Sequence, residues 1–457
     1  MIIPAPDDTI GAAFRRCAQA YHDCPFLAVP SNAARTYHPD GVEIRYGEAL
    51  ASVDALAARY TAAGYGVGHR VALLMENRPE HLLHKLALNS IGVCCVPLNS
   101  DHRPREMAYV LDHAEVNLAV VADALLPMLN EAIAVASHEP TVTVAEQADD
   151  LPAPRTRASS TEPSPDTPAS ILYTSGTTGR PKGCVLSHRY ELESGRWYAS
   201  IGGMATFRDA GDRLYNPLPL FHVNASIFSF FAVMLRGNCQ IQTDRFSPNR
   251  WWAEVHETRA TVVHYLGVVV PMLLAQPPSD LDRGHGLRFA IGAGVDPQRH
   301  AEFEQRFGFP LVEIWGMTEM VRALADSEPP RAVGTRAFGR AQPGLEVRVV
   351  DDRDRDLPDG SPGEMLIRHS AATPRKDFFS GYLDDVEATE HAWRGGWFHT
   401  GDVVTRAPDG MLHFVDRRKN IIRRSGENIA AAEVEGVLQS HPLVLQAAVL
   451  AVPDEVR

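Results

Sequence analysis

Apolar residues in this chain come in short blocks separated by stretches of mixed character. From Arg70 onward, residues 71–75 form an apolar run of strand length, 79–91 carry apolar positions at helical spacing, and 93–98 are again a short apolar run. Residues 104–114 return to the helical period, and 118–121 close the set as another strand. This βαβαβ order predicts a mostly parallel sheet with right-handed crossovers and helices on its faces. A second set follows, with a helix near 249–259, strands at 260–266 and 287–292, a helix over 297–307 opened by Asp296-Pro297, and a strand at 311–315. It predicts a second, similar sheet. Beyond residue 330 the pattern shifts to short strands such as 345–350 and 363–368 and to turns such as Pro408-Asp409-Gly410, the signature of a small β-rich subdomain. Residues 139–169 hold six prolines among Ser, Thr and acids and read as a connecting loop. Near the end, a helix is expected from about 430 and an apolar strand over 444–452.

Length adds that 457 residues exceed what one core organises, so at least two domains are expected. The formal charge of −13, from 44 basic against 57 acidic residues, argues against a nucleic-acid footprint and requires any anion site to gather its cations locally. The six cysteines form no Cys-x-x-Cys pairs, which fits reduced thiols in a cytoplasmic enzyme and speaks against a metal or redox centre. No basic-then-apolar leader pattern opens the chain, and the run at 268–275 is interrupted by Pro271 and too short for a membrane span. Two tempting motifs fail on spacing. The acidic run 351–356 has Leu357 where a calcium loop needs its sharp-turn Gly, and reads as a solvated hairpin turn. His256-Glu257 has Ala260 where a zinc helix needs its second His, and reads as an exposed helix face.

The richest stretch is Tyr173-Thr174-Ser175-Gly176-Thr177-Thr178-Gly179-Arg180-Pro181-Lys182-Gly183, directly behind an apolar strand. Its glycines leave the backbone free to curl with N–H groups turned inward, the Thr and Ser hydroxyls add donors, and Lys182 adds a mobile cation. That is a grip for a triphosphate. No Gly-Lys-Ser/Thr closes the loop at Walker spacing, which disfavours a P-loop NTPase.

The order of hydroxyls, glycines and Pro-Lys-Gly resembles the signature of the adenylate-forming superfamily, which includes acyl-CoA synthetases and peptide-synthetase adenylation domains. Further segments resemble that family in the same order. Pro217-Leu218-Pro219-Leu220-Phe221-His222 is similar to the segment whose side chain gates the acyl pocket, here His222. Gly292-Ala293-Gly294 lies where bare backbone lets adenine pack closely. Trp315-Gly316-Met317-Thr318-Glu319 is similar to the segment in which an aromatic stacks on adenine, Thr318 meets the α-phosphate and Glu319 holds Mg2+; Trp315 departs from the usual Tyr but keeps a stacking face. Gly396 to Asp402 resembles the ribose segment, with Asp402 accepting from both hydroxyls. Asp416-Arg417-Arg418-Lys419 resembles the interdomain hinge, with Arg417 on the ribose and Lys419 as pivot, and residues 423–428, including Gly426 and Glu427, resemble the loop that meets phosphates or coenzyme A.

The resemblance implies an α/β fold: a large N-terminal AMP-binding domain over 1–416, built from two similar βα-layered sheets plus a β-rich subdomain, and the start of a small mobile α+β domain over 417–457. It also implies an acid–thiol ligase using ATP, Mg2+ and coenzyme A. A carboxylate attacks the α-phosphorus, pyrophosphate leaves, the small domain rotates, and a thiol takes the acyl group with release of AMP. Relatives continue past the last residue here and carry a late catalytic Lys, so a truncated small domain with weak adenylation is expected. Phe221-His222-Val223-Asn224-Ala225 lacks the Asp that pairs with an amino-acid ammonium, and the segments around His222, Trp251-Trp252 and His264-Tyr265 look most like carnitine or crotonobetaine-CoA ligases and short or medium-chain acyl-CoA ligases. A modest, mostly uncharged carboxylic acid is the expected substrate, with a homodimer as one possible assembly. Two alternatives stay open: a non-catalytic nucleotide-binding remnant, and transfer to a carrier-protein pantetheine.

Overall fold

The computed structural model describes residues 1–147, 151–174, 180–424, 427–439, 441, 444, 447–450 and 452. Two large sheets dominate it. One has seven strands in the order Gly381–Tyr382, Lys182–Ser187, Pro168–Thr174, Cys94–Pro97, Arg70–Leu74, Leu118–Val121, Thr141–Val144. Its last five are mutually parallel, and the first two run antiparallel to their neighbours. The other has eight strands in the order Leu324–Ala325, Leu311–Trp315, Phe289–Ala293, Val262–Leu266, Arg213–Asn216, Cys239–Gln242, Pro25–Val29, Val42–Arg45, parallel except at its two edges. A four-stranded antiparallel sheet follows: Glu346–Val350, Gly363–Arg368, Phe398–Arg406, Leu412–Arg417. Ile421–Arg424 and Glu427–Ala430 form a separate hairpin.

The parallel strands are apolar on both faces because helices cover both. The helix Pro79–Ser90 is buried at every residue except Glu80 and Ser90, which requires neighbours on all sides. It shares one core with the helices Ile10–Ala20, His188–Ala199 and Ser229–Arg236 and with inward residues of both sheets. That core is not purely apolar. Lys85 and Glu191, 1% and 0% exposed, lie 2.8 Å apart, and Lys85 also donates to Ser170 Oγ at 2.5 Å. The group thus joins two sandwiched helices to the strand Pro168–Thr174. Burial raises the pKa of Glu191, opposed by the Lys85 charge and its hydrogen bond.

Most sequence-predicted elements fall within a residue or two of their observed limits. Two do not. The stretch 139–169, read as loop, contains the strand Thr141–Val144, whose alternating Thr and Val pair in parallel with Leu118–Val121. The flanking prolines hid it, although none lies inside it. Of the expected strand at 444–452, residues 445, 446 and 451 lie outside the described residues, and the described ones carry no strand assignment, the Val449 amide donating to Glu435 at 2.9 Å. The acidic run 351–356 is a turn, as expected, with Asp351 accepting from the Arg353 and Arg355 amides.

Removing Lys85 alone strands a buried carboxylate, so Lys85→Met should lower stability by about 3–5 kcal/mol, while Lys85→Met with Glu191→Leu should cost clearly less. Urea unfolding of both variants checks this; a single-variant loss no larger than that of the double would refute the pairing argument.

Candidate active site

The segments at Thr174, 217–222, 292–294 and 315–319 leave the C-terminal ends of parallel strands, where open α/β sheets bind their ligands, whereas Asp402 and Arg417 lie on the antiparallel sheet. Thr174 ends one such strand and pairs in register, antiparallel, with Lys182, which begins the next. Ser175, Gly176, Thr177, Thr178 and Gly179 lie outside the described residues. Lys182 Nζ sits 4.9 Å from the centroid of the Tyr382 ring, and the Tyr382 hydroxyl donates to Glu319 Oε1 at 2.8 Å. A cation, an aromatic ring and a carboxylate therefore form one chain across the cleft floor.

Glu319 is held from several directions. Its carbonyl accepts from the Phe379 amide at 2.9 Å, and the Val321 amide donates to Asp377 at 3.0 Å, so residues 377–379 run alongside the turn. On the other side, the Tyr190 hydroxyl donates to the carbonyls of Thr318 at 2.8 Å and Met320 at 3.0 Å. Burial raises the Glu319 pKa; the Tyr382 hydrogen bond, its own backbone amide and the Arg417 charge oppose the shift, and the Asp402 charge adds to it. Thr318 and Met317 are half-buried and Gly316 is exposed, which leaves this segment open to a ligand.

The ribose segment meets the same region. Asp402, 2% exposed, accepts the Trp315 indole N–H at 2.8 Å, and Arg417 Nε lies 2.9 Å from its other oxygen as an ion pair. Asp402 and Arg417 are register partners on neighbouring strands. Burial raises the pKa of Asp402, with Arg417 and the indole opposing it. Trp315 itself is only 6% exposed and tilts against Phe338 with centroids 6.1 Å apart. The Trp that departs from the usual Tyr thus brings a donor that fixes Asp402. Lys419 lies in a 3-10 turn, Arg418–Asn420, directly after this pair; the side chains of Lys419 and Glu427, and Gly426 entirely, are outside the described residues.

Gly292 and Ala293 end the strand Phe289–Ala293, and Gly294 begins the turn to the helix Pro297–Phe307, which Asp296 caps by accepting from the Gln298 amide. Gly292 cannot carry a side chain, because a Cβ there would lie 2.2 Å from the Tyr265 carbonyl. Ala293 and Gly294 are exposed. Beneath them, Glu313 accepts from the amides of Gly294 and Val295 and from the Tyr265 hydroxyl.

His222 tilts against Phe221, with ring centroids 4.6 Å apart. Its side chain is open to solvent at a recess where desolvation, then the neighbouring His102, lower its pKa, which keeps it neutral near pH 7. Its segment is clamped across the two sheets by Asn77, which donates to the Leu218 carbonyl at 3.2 Å and accepts from the Leu220 amide at 3.0 Å. A π-helical turn, Asn224–Phe228, follows at once, a geometry common at functional sites. Sequence reasoning missed Asn77, Tyr190, Glu313 and Tyr382, and singled out Tyr265 without its hydrogen bond to Glu313. Of these only Glu313 carried a signal, an acid inside the apolar strand Leu311–Trp315.

Residues 14–383 match the family described as AMP-binding enzyme. The chain belongs to the AMP-binding enzymes. Among curated relatives, crotonobetaine/carnitine–CoA ligase of Escherichia coli is 31% identical over 434 residues, 91% of this chain and 83% of that one. The o-succinylbenzoate CoA synthetase of Bacillus subtilis, solved with its acyl-adenylate, superposes with a TM-score of 0.81 at 22% identity, over 99% of this chain and 87% of that one. The same synthetase solved with ATP and a magnesium ion gives 0.80 at 22% identity, over 98% and 88%. This AMP-binding enzyme is an ATP-dependent acid–CoA ligase: it activates a carboxylate as an acyl-adenylate with loss of pyrophosphate, then forms an acyl-CoA with loss of AMP. No helix among the described residues is long and apolar enough to cross a membrane.

Tyr382→Phe keeps the ring under Lys182 but removes the donor to buried Glu319, and should lower stability by about 1–3 kcal/mol. Thermal and denaturant unfolding measure it; a loss indistinguishable from zero would mean the hydroxyl does not support the carboxylate.

Proposed function

We propose that this ligase acts on a modest, mostly uncharged carboxylic acid whose apolar part rests on the C-terminal end of the strand Val262–Leu266 and the turn after it. The carrying observation is an exposed apolar edge: Leu266, Val268 and Met272 are 46%, 48% and 40% exposed, and Leu266 is the register partner of Ala293 in the Gly292–Gly294 segment. Such side chains leave water only if something apolar covers them. His222, neutral and accessible, is suited to gate this recess.

In this reading Lys182 and the segment from Thr174 to Gly179 grip the phosphates, and Thr318 contacts the α-phosphate. Adenine packs on Gly292, Ala293 and Gly294 with Trp315, Gly316 and Met317 alongside, and Asp402 with Arg417 takes the ribose. Both carboxylates are already aimed by neutral donors, so little reorganisation is needed when a nucleotide arrives. Glu319 suits Mg2+, a hard ion that binds through one or two carboxylates plus phosphate oxygens, and no cluster of three His, Cys, Asp or Glu forms an all-protein cage among the described residues. When bound, that ion would neutralise phosphate charge as pyrophosphate leaves.

The lobe boundary belongs to the same proposal: residues 1–416 as the adenylating domain and 417–457 as the beginning of a mobile one, with Lys419 as pivot and Gly426 and Glu427 near the phosphates or coenzyme A. A cytoplasmic homodimer is the proposed working form, which light scattering on the purified chain would test.

Incubation with ATP, Mg2+, coenzyme A and a panel of acids, scored by mass spectrometry for AMP and acyl-CoA, should give both products from a short or medium uncharged acid. Carnitine, crotonobetaine and malonate belong in the panel, and a clear preference for malonate overturns the substrate proposal. With the best acid, Lys182→Met should lower kcat by about 10²–10³-fold, and Asp402→Asn should raise KM for ATP by about tenfold or more.

A further inference from the structure

The nucleotide reading leaves unexplained how a bare glycine turn keeps one shape. The turn Ala293-Gly294-Val295 has no side chain that could brace it from above, and Gly294 takes a left-handed φ of +84°. A segment of this kind samples many conformations unless its peptide planes are held. Here they are held from beneath by one carboxylate.

Glu313, 6% exposed, accepts three hydrogen bonds: from the Gly294 amide at 3.0 Å on Oε2, and from the Val295 amide at 3.2 Å and the Tyr265 hydroxyl at 2.5 Å on Oε1. The peptide plane between Ala293 and Gly294 is fixed at both ends, because the Ala293 carbonyl accepts from the Gly267 amide at 2.9 Å. The plane between Gly294 and Val295 is fixed at its N–H, and since a trans peptide sets C=O opposite N–H, the Gly294 carbonyl is directed away from Glu313. It passes so close to Gly267 that a Cβ there would lie 1.8 Å from it. Tyr265, in turn, precedes the exposed Leu266, so Glu313 is tied to the acid side of the cleft as well as to the nucleotide side. An acid in the middle of the apolar strand Leu311–Trp315 has no packing reason to be there.

We propose that Glu313 is a positioning residue for the nucleotide: by binding two successive amides of the 293–295 turn and the Tyr265 hydroxyl, it sets the surface on which the adenine of ATP packs. This rests on the proposed placement of adenine at Gly292–Gly294. Gln can accept but also presents an NH2 group to inward N–H donors, so it replaces the carboxylate only in part. Ala replaces none of it. Tyr265→Phe removes one of the three donors and leaves the two amides bound.

The test uses the full chain and measures Kd for AMP and ATP by calorimetry, KM for ATP and for the acid at saturating ATP, kcat, and melting temperature, for Glu313→Gln, Glu313→Ala, Tyr265→Phe and Asp402→Asn. The expected result is a graded rise in nucleotide Kd and KM, about tenfold for Gln and larger for Ala. KM for the acid should stay within twofold for Gln, and the ratio of ATP to GTP use should fall. Tyr265→Phe, which keeps the fold safest, should raise nucleotide Kd about threefold and covers the case in which Glu313→Ala does not fold. If the Glu313 and Tyr265 variants melt lower yet bind AMP and ATP as tightly as the parent while Asp402→Asn weakens them, the positioning role is overturned and Glu313 is only structural. If Asp402→Asn also leaves nucleotide affinity unchanged, the nucleotide does not lie where proposed and the inference falls with that placement.

Discussion

The site depends on one crossing. Residues 377–383 leave the β-rich region and run between the two large sheets, hydrogen-bonding to Glu319 and Val321 on one side and to Val185 and Gly183 on the other. Tyr382 at its centre pairs with Cys184 and reaches back to Glu319. Together with the Tyr190 hydroxyl on the Thr318 and Met320 carbonyls, this segment fixes the Lys182 strand relative to the Glu319 turn, which belong to separate sheets. With it, Lys182 and Glu319 share one aromatic ring as their common reference.

A second regularity follows from burial. Glu313, Glu319 and Asp402 are all nearly inaccessible, and in each case desolvation raises the pKa while neutral donors work against it. The donors are a Tyr hydroxyl and backbone amides for Glu313, a Tyr hydroxyl for Glu319 and an indole for Asp402. A neutral donor orients a carboxylate without cancelling its charge, so the group keeps its capacity to attract a cation or a hydroxyl. Arg417 is the exception, and it lies half-exposed beside Asp402 where the chain turns towards its last segment. The buried Lys85–Glu191 pair follows the opposite rule, with charge matched by charge, and it lies in the sandwiched helix layer.

Much of this was legible in the residues. Hydrophobic blocks gave the alternating strands and helices of both sheets, because parallel strands buried on two faces must read as continuous apolar runs. Asp296-Pro297 gave the helix start beyond the glycine turn. The strand Thr141–Val144 escaped because local prolines outweighed a four-residue alternation, and its pairing with Leu118–Val121 is a tertiary fact. Tyr382, Tyr190 and Asn77 escaped for a related reason: each acts across a sequence gap, of 63 residues from Tyr382 to Glu319, 128 from Tyr190 to Thr318 and 141 from Asn77 to Leu218. No periodicity spans such gaps. The indole bond of Trp315 to Asp402 could not be read from a motif that usually has Tyr there.

The tie made by Asn77 has a mechanical meaning. It follows the end of a strand in one sheet and clasps both Leu218 and Leu220 beyond the end of a strand in the other, with Gln242 donating to the carbonyls of Asn216 and Leu218 behind it. Buried amide clasps of this kind do not stretch without leaving orphaned polar groups. The two strand ends are therefore held at one separation, set by the length of an amide side chain rather than by the packing of large apolar groups.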